Sequence, residues 1–214
     1  TKIGEQYCSF VFCRMNLIEV IIYTGIFVFA LTGALKARTH QMDIFGAAVV
    51  AFVTAYGGGT IRDLLIGVRP VNWVNDYLAL GLVVSAVLIV SLLNTNFTRF
   101  RRAIFFTDAI GLGMFTVGGI ERSLVYGINE GYSVIMGVMS ATFGGLLADM
   151  ICGEVPNLLK RGELYATACA LGGVIYLGLK YYGIEYNLGL FICVAIIVGI
   201  RILSKRKRLR LPEI

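Results

Sequence analysis

Ile44-Phe45-Gly46-Ala47-Ala48-Val49-Val50-Ala51-Phe52-Val53-Thr54-Ala55-Tyr56 runs straight into Gly57-Gly58-Gly59-Thr60-Ile61-Arg62-Asp63. The apolar part has the character of a membrane helix but, at about 1.5 Å per residue, reaches only about 20 Å, short of a hydrocarbon core of about 30 Å. The glycines therefore fall at membrane depth, with an arginine and an aspartate directly behind them, where charge is expensive. Non-helical backbone at that depth is tolerated only where protein buries it or where it lines a watery cavity. The stretch predicts a helix interrupted at Gly57, Gly58 and Gly59.

Working outward, the chain is 57% hydrophobic and 15% charged, whereas soluble domains carry about 25% charge. Seven apolar segments follow: about Asn16 to Leu35, from Ile44 to the glycines, Tyr77 to Leu93, Ala103 to Ile120, from Tyr132 to Gly144-Gly145, Tyr165 to Tyr181, and Leu188 to Leu203. The expectation is an all-α, polytopic membrane protein. Thr1 to Arg14 is mixed in character and Met15 opens a clean helix, so residues 1–15 are read as a non-native or disordered lead, with no cleavable signal peptide. The net charge of +6 does not point to nucleic acid, because the cations sit in short loops and in the tail.

Those cations set an orientation. With the C-terminus cytoplasmic and seven spans, the N-terminus lies outside. Lys36, Arg38, Arg99, Arg101, Arg102, Lys160, Arg161, Arg201, Lys205, Arg206, Lys207, Arg208 and Arg210 are then inside; Lys2, Arg14, Arg69, Arg122 and Lys180 are outside; Arg62 remains at membrane depth.

Shifted by 86 residues, the chain meets itself. Gly25 falls on Gly111, Phe29 on Phe115, Gly33 on Gly119, Lys36 on Arg122, Gly58 on Gly144, Gly59 on Gly145, Asp63 on Asp149, Gly67 on Gly153 and Pro70 on Pro156. Three spans per repeat is an odd number, so the halves are inverted. The organisation expected is residues 16–101 as the first repeat, 102–187 as the second, 188–203 as a seventh helix and 204–214 as a basic cytoplasmic tail. Glycine-interrupted spans at matching places in inverted halves point to a permeation or binding site.

Two readings of Gly57, Gly58, Gly59, Thr60, Gly144 and Gly145 stay open: a pore wall of freed backbone, which is favoured, and close helix packing through small residues. Arg62, Asp63 and Asp149 form a charged pore or a structural lock. Because adjacent residues on a helix do not face each other, Arg62 is expected to pair with Asp149 across the pseudo-twofold. Lys36 is read as snorkelling to the interface, and Arg122 as a gating cation. Asp108 either binds a cation or, the preferred reading, caps the start of span four. His40 is read as solvated. Trp73, Tyr77, Tyr126, Tyr181 and Tyr182 are read as interfacial aromatics. The tail around Lys205 to Arg210 fits anionic lipid or simple anchoring. Cys8, Cys13, Cys152, Cys169 and Cys193 have no metal or redox spacing. No nucleophile–base pair or phosphate loop occurs, so no catalytic residue, cofactor or resident metal is expected; permeant potassium or sodium ions are, and bound lipid fits.

Thr32-Gly33-Ala34-Leu35-Lys36-Ala37-Arg38, Asp43-Ile44-Phe45-Gly46, and Gly57 to Gly67 with Arg69-Pro70-Val71-Asn72-Trp73 form one block; Asp108-Ala109-Ile110-Gly111-Leu112 to Gly119, Gly144-Gly145 and Pro156 form another. Together they resemble the prokaryotic branch of the trimeric intracellular cation (TRIC) channel family, whose bacterial sequences also carry a glycine transporter domain label and are YadS-like. The resemblance spans roughly Asn16 to Arg201. It implies a homotrimer in the prokaryotic inner membrane, with one pore per subunit lined by glycine-kinked helices two and five, passing potassium. The alternative is a secondary transporter of a small zwitterion such as glycine. The second block carries Ala148-Asp149 where the family pattern has Arg-Asp, which removes a symmetric role for paired arginines.

Overall fold

The structure is a computed structural model that describes the backbone of residues 2–92, 97–160 and 164–207. Its elements are α1 (Lys2–Thr39), α2 (Ile44–Ile66), α3 (Tyr77–Leu92), α4 (Phe97–Val125), α5 (Glu130–Ile151), α6 (Ala166–Tyr181) and α7 (Tyr186–Lys207). The helix α1 runs back to Lys2, so it takes in most of the segment read as a separate lead. The tail beyond Lys207 lies outside the described residues. Among the described residues, four helices are long and apolar enough to cross a membrane, α2, α4, α5 and α7, while α3 and α6 are shorter apolar helices.

The two halves end their helices in the same way. Asp43 caps α2 by accepting from the Gly46 N–H at 2.7 Å, and Asn129, 86 residues on, caps α5 by accepting from the Gly131 N–H at 2.9 Å. Such side-chain oxygens satisfy amides that the first turn leaves unpaired. At the other ends, Gly67 (φ 81) and Gly153 (φ 68) are left-handed, a conformation that costs glycine nothing. The next amides, of Val68 and Glu154, reach back to the carbonyls of Asp63 at 2.8 Å and Asp149 at 2.9 Å. This is the Schellman closure, which needs its glycine four residues after the bonded carbonyl. It explains why each motif aspartate is followed by glycine at that spacing.

Packing obeys the same symmetry. The helix α1 packs on α2 and α3 as α4 packs on α5 and α6; α2 meets α3 as α5 meets α6; α1 meets α4 and α2 meets α5 along the pseudo-dyad; α7 lies against α4 and α6. Phe29 and Phe115, which are repeat equivalents, stack across the axis with centroids 4.9 Å apart. The outer surface carries large apolar residues such as Phe45, Leu92 and Phe191, whereas Lys36, Arg62, Asp63, Asp108, Glu121, Asp149 and Arg201 are buried. Apolar outside and charged inside is the arrangement a lipid solvent demands.

The predicted helix breaks are absent. The helix α2 is continuous for 23 residues through Gly57, Gly58 and Gly59, and α5 for 22 residues through Gly144 and Gly145. At about 1.5 Å per residue both exceed about 30 Å, so the run from Ile44 is long enough once the glycines are counted in. The glycines serve helix approach. A Cβ on Gly58 would lie 2.1 Å from the Ser140 carbonyl oxygen, and one on Gly144 2.2 Å from that of Thr54. Thr54 and Ser140 are themselves repeat equivalents, so α2 and α5 cross antiparallel through two reciprocal contacts.

A closed crossing between two charged cavities

The α2–α5 crossing separates two cavities. The first, about 240 Å³, is lined by the early part of described α1 (Glu19, Tyr23), the later half of α2 (Tyr56, Gly59, Thr60, Arg62, Asp63), the segment before α3 (Asn72, Trp73, Asp76) and the end of α4 (Phe115, Arg122). The second, about 590 Å³, is lined by the end of α1 (Thr32, Lys36, His40), Thr54, the middle of α4 (Asp108), the end of α5 (Gly145, Ala148, Asp149), the following loop (Glu154, Asn157, Lys160), Tyr165 and the end of α7 (Arg201, Lys205). Opposite ends of α1 and α4 meet in each cavity, as inversion requires.

Gly59 and Gly145 face these cavities; only the Arg62 Nη2 atom, at 3.7 Å, stands near a Cβ on Gly59, and the Tyr165 hydroxyl, at 2.8 Å, near one on Gly145. Thr60 accepts from the Trp73 indole N–H at 3.1 Å. Trp73 is thus a cavity wall, edge-on to Phe52 and tilted against Tyr56.

The charged residues pair differently from expectation. Arg62 turns back onto its own neighbour, donating from Nε at 3.0 Å and Nη2 at 2.8 Å to Asp63 Oδ1, and from Nη1 at 3.0 Å to Ser140 Oγ. The neighbour rule fails because a guanidinium on a long stem can fold back where two Cβ atoms cannot meet. Asp149, the predicted partner of Arg62, instead pairs with Lys36 and accepts from the Asn157 amide at 2.6 Å. Lys36 is 8% exposed, also lies 3.7 Å from Glu154, and does not snorkel. Its repeat equivalent Arg122 stands with Nε 4.0 Å from Asp63 and donates from Nη2 to Asn72 at 2.5 Å. Lys36–Asp149 and Arg122–Asp63 are therefore one inter-repeat ion pair drawn twice, tight in the second half and loose in the first, where Arg62 has taken the aspartate.

Asp108 caps nothing, because α4 starts at Phe97 and puts it well inside the helix. It is held by Arg201 Nη1 at 2.5 Å and by the Tyr165 hydroxyl at 3.0 Å. Arg201, counted from sequence only as an inside charge, lies over the Phe105 and Tyr165 rings. Its position within an otherwise apolar span was the available signal. Glu121 was likewise missed; it accepts from the Tyr176 hydroxyl at 2.8 Å and Lys180 at 2.5 Å. His40 is engaged rather than merely solvated, 2.9 Å from Glu154. Partial burial pushes the Glu154 carboxyl up, but Lys36, the His40 hydrogen bond and Lys160 outweigh it and hold it below its ordinary value. Cys152, Cys169 and Cys193 are free thiols.

Fold and site together define an inverted-repeat helical membrane protein with a cavity on each side of a shared crossing. The chain belongs to the TRIC family: it matches the family described as "Glycine transporter" over residues 19–94 and 105–181. A UPF0126 membrane protein of Vibrio cholerae is 37% identical over 198 residues, covering 92% of this chain and 82% of that one. The UPF0126 inner membrane protein YadS of Escherichia coli K12 is 33% identical over 190 residues, covering 88% and 91%. Among solved structures, a TRIC trimeric intracellular cation channel orthologue from Rhodobacter sphaeroides is 35% identical with a TM-score of 0.81, covering 91% of this chain and 100% of that one. A prokaryotic TRIC channel in 0.5 M KCl is 29% identical with a TM-score of 0.83, covering 92% and 100%.

Proposed function

We propose that this chain is a potassium-permeable cation channel, a homotrimer in the prokaryotic inner membrane with its C-terminus cytoplasmic and one route through each subunit. Likeness over most of the chain to TRIC cation channels supports the activity and speaks against an enzyme. The observation that carries the route is the pair of cavities at the two ends of the α2–α5 crossing. The route no longer rests on helix breaks. In the conformation described, the Gly58–Ser140 and Gly144–Thr54 contacts close it, and conduction requires them to part. Arg62, Asp63, Lys36, Asp149 and Arg122 both hold the halves together and set the charge along the walls.

Planar bilayers holding the purified protein under a potassium chloride gradient test this. Discrete currents reversing near the potassium potential are expected; slow, saturable uptake without current overturns it. Two cavities on either side of one closed crossing also suit alternating access. The second reading is therefore a transporter of a small zwitterion, and gradient-coupled glycine uptake into proteoliposomes would select it.

A further inference from the structure

Beside the first cavity, Phe52, Tyr56, Trp73 and Asp76 enclose a smaller pocket of about 120 Å³. The rings are tilted or edge-on to one another, with centroids 4.8 Å (Phe52–Tyr56), 5.1 Å (Phe52–Trp73) and 6.3 Å (Tyr56–Trp73) apart. Two further features set this corner apart. Tyr56 is 7% exposed, yet its hydroxyl has no hydrogen-bond partner among the described residues. Tyr56 lines both this pocket and the first cavity. The half-buried Asp76 lines both as well, and its carboxylate has no cation within ion-pair distance among the described residues, whereas the buried carboxylates of Asp63, Asp108 and Asp149 each have one. Asp76 accepts from the Ala79 amide at 2.9 Å and is within hydrogen-bonding reach of the Tyr23 hydroxyl; both are neutral donors, so its negative charge is not offset by either.

A buried hydroxyl without a partner is costly, and aromatic faces attract cations. A ligand satisfying all three features carries positive charge for the rings and carboxylate, and N–H donors for the Tyr56 oxygen. We propose that Tyr56, Trp73 and Asp76, backed by Phe52, bind a small primary ammonium ion. A quaternary ammonium supplies the charge but no N–H, so it fits the rings and leaves Tyr56 unpaired. The site borders the proposed route without lying in the crossing. Binding there does not depend on flow, and its failure would leave the channel reading untouched.

Trp73 is the only tryptophan in the chain, so its fluorescence reports the site directly. The full-length protein in detergent is titrated with methylammonium chloride, against sodium chloride at matched ionic strength and against tetramethylammonium chloride. A saturable change specific to methylammonium is expected, with tetramethylammonium weaker. Asp76→Asn, which keeps an oxygen to cap α3, is expected to weaken binding about tenfold. Tyr56→Phe, which removes only a hydroxyl bonded to nothing, is expected to weaken it about threefold. No saturable response in the wild type, tetramethylammonium binding as tightly as methylammonium, or wild-type affinity in either variant overturns the proposal.

Discussion

The first cavity holds its motif aspartate with an arginine from the same helix, and the second holds its own with a lysine from the other half. Asp63 takes Arg62 at 2.8 Å and keeps Arg122 at 4.0 Å; Asp149 takes Lys36, because Ala148 offers nothing. The arginine at 62 against the alanine at 148 thus changes which elements the main ion pair joins. In the second cavity the ion pair ties α1 to α5, across the repeats; in the first the main pair is internal to α2, and the tie to α5 falls to the Arg62–Ser140 hydrogen bond. The seventh helix deepens the contrast, since Arg201 enters only the second cavity. An inverted repeat can keep its backbone symmetry while moving a buried charge from one element to another, provided every buried carboxylate still finds a cation.

The largest effects are expected from breaking these pairs. Asp149→Asn, which leaves Lys36 only the more distant Glu154, and Asp63→Asn, which strands Arg62, should each cost about 3–5 kcal/mol, read by denaturant unfolding in micelles. Losses under about 1 kcal/mol in both would show that the pairs do not hold the halves. Next come the crossing glycines. Gly58→Ala and Gly144→Ala place a methyl against a carbonyl oxygen and should cost about 1–3 kcal/mol, whereas Gly59→Ala, which points at open space, should stay within about 0.5 kcal/mol. Equal effects at 58 and 59 would contradict the reciprocal contact.

A rescue sharpens the comparison further. Adding Ala148→Arg to Lys36→Met gives Asp149 an arginine on its own helix, as Asp63 has, and a favourable coupling of about 1–2 kcal/mol in a double-mutant cycle is expected; a coupling of zero would mean the backbone around Ala148 cannot place a guanidinium on Asp149. The smallest effect concerns Glu154, whose carboxyl is held below its ordinary value. Its contribution is complete above the ordinary carboxylate range and disappears as the pH falls through the lowered value. Glu154→Gln should therefore lower stability modestly at neutral pH, leave low pH nearly unchanged, and so flatten the acid limb of the stability profile.

Much of this architecture was legible in residues. The 86-residue offset matched Gly67 with Gly153, and both are left-handed helix ends; the twin caps at Asp43 and Asn129 went unnoticed, because the two residues share a capping oxygen but not an identity. Side-chain pairing was not legible. Whether Arg62 crosses to Asp149 or folds onto Asp63 depends on distances between helices, which no spacing along the chain encodes. The glycines were misread for a related reason: a residue without a Cβ allows either a bent backbone or a close neighbour, and only the position of Ser140 and Thr54 decides between them. Asp108 went wrong through a span boundary, since beginning α4 at Ala103 rather than Phe97 turns a mid-helix carboxylate into a cap.

The paired contacts of Gly58 with Ser140 and Gly144 with Thr54 have a mechanical consequence. Two like contacts, placed symmetrically about one axis, act as the pin of a pair of scissors: the blades can swing about it while the pin stays seated, but drawing them apart unseats both sides together. A passage that opened between them would need the two rods drawn apart, in a single concerted step that unseats both contacts.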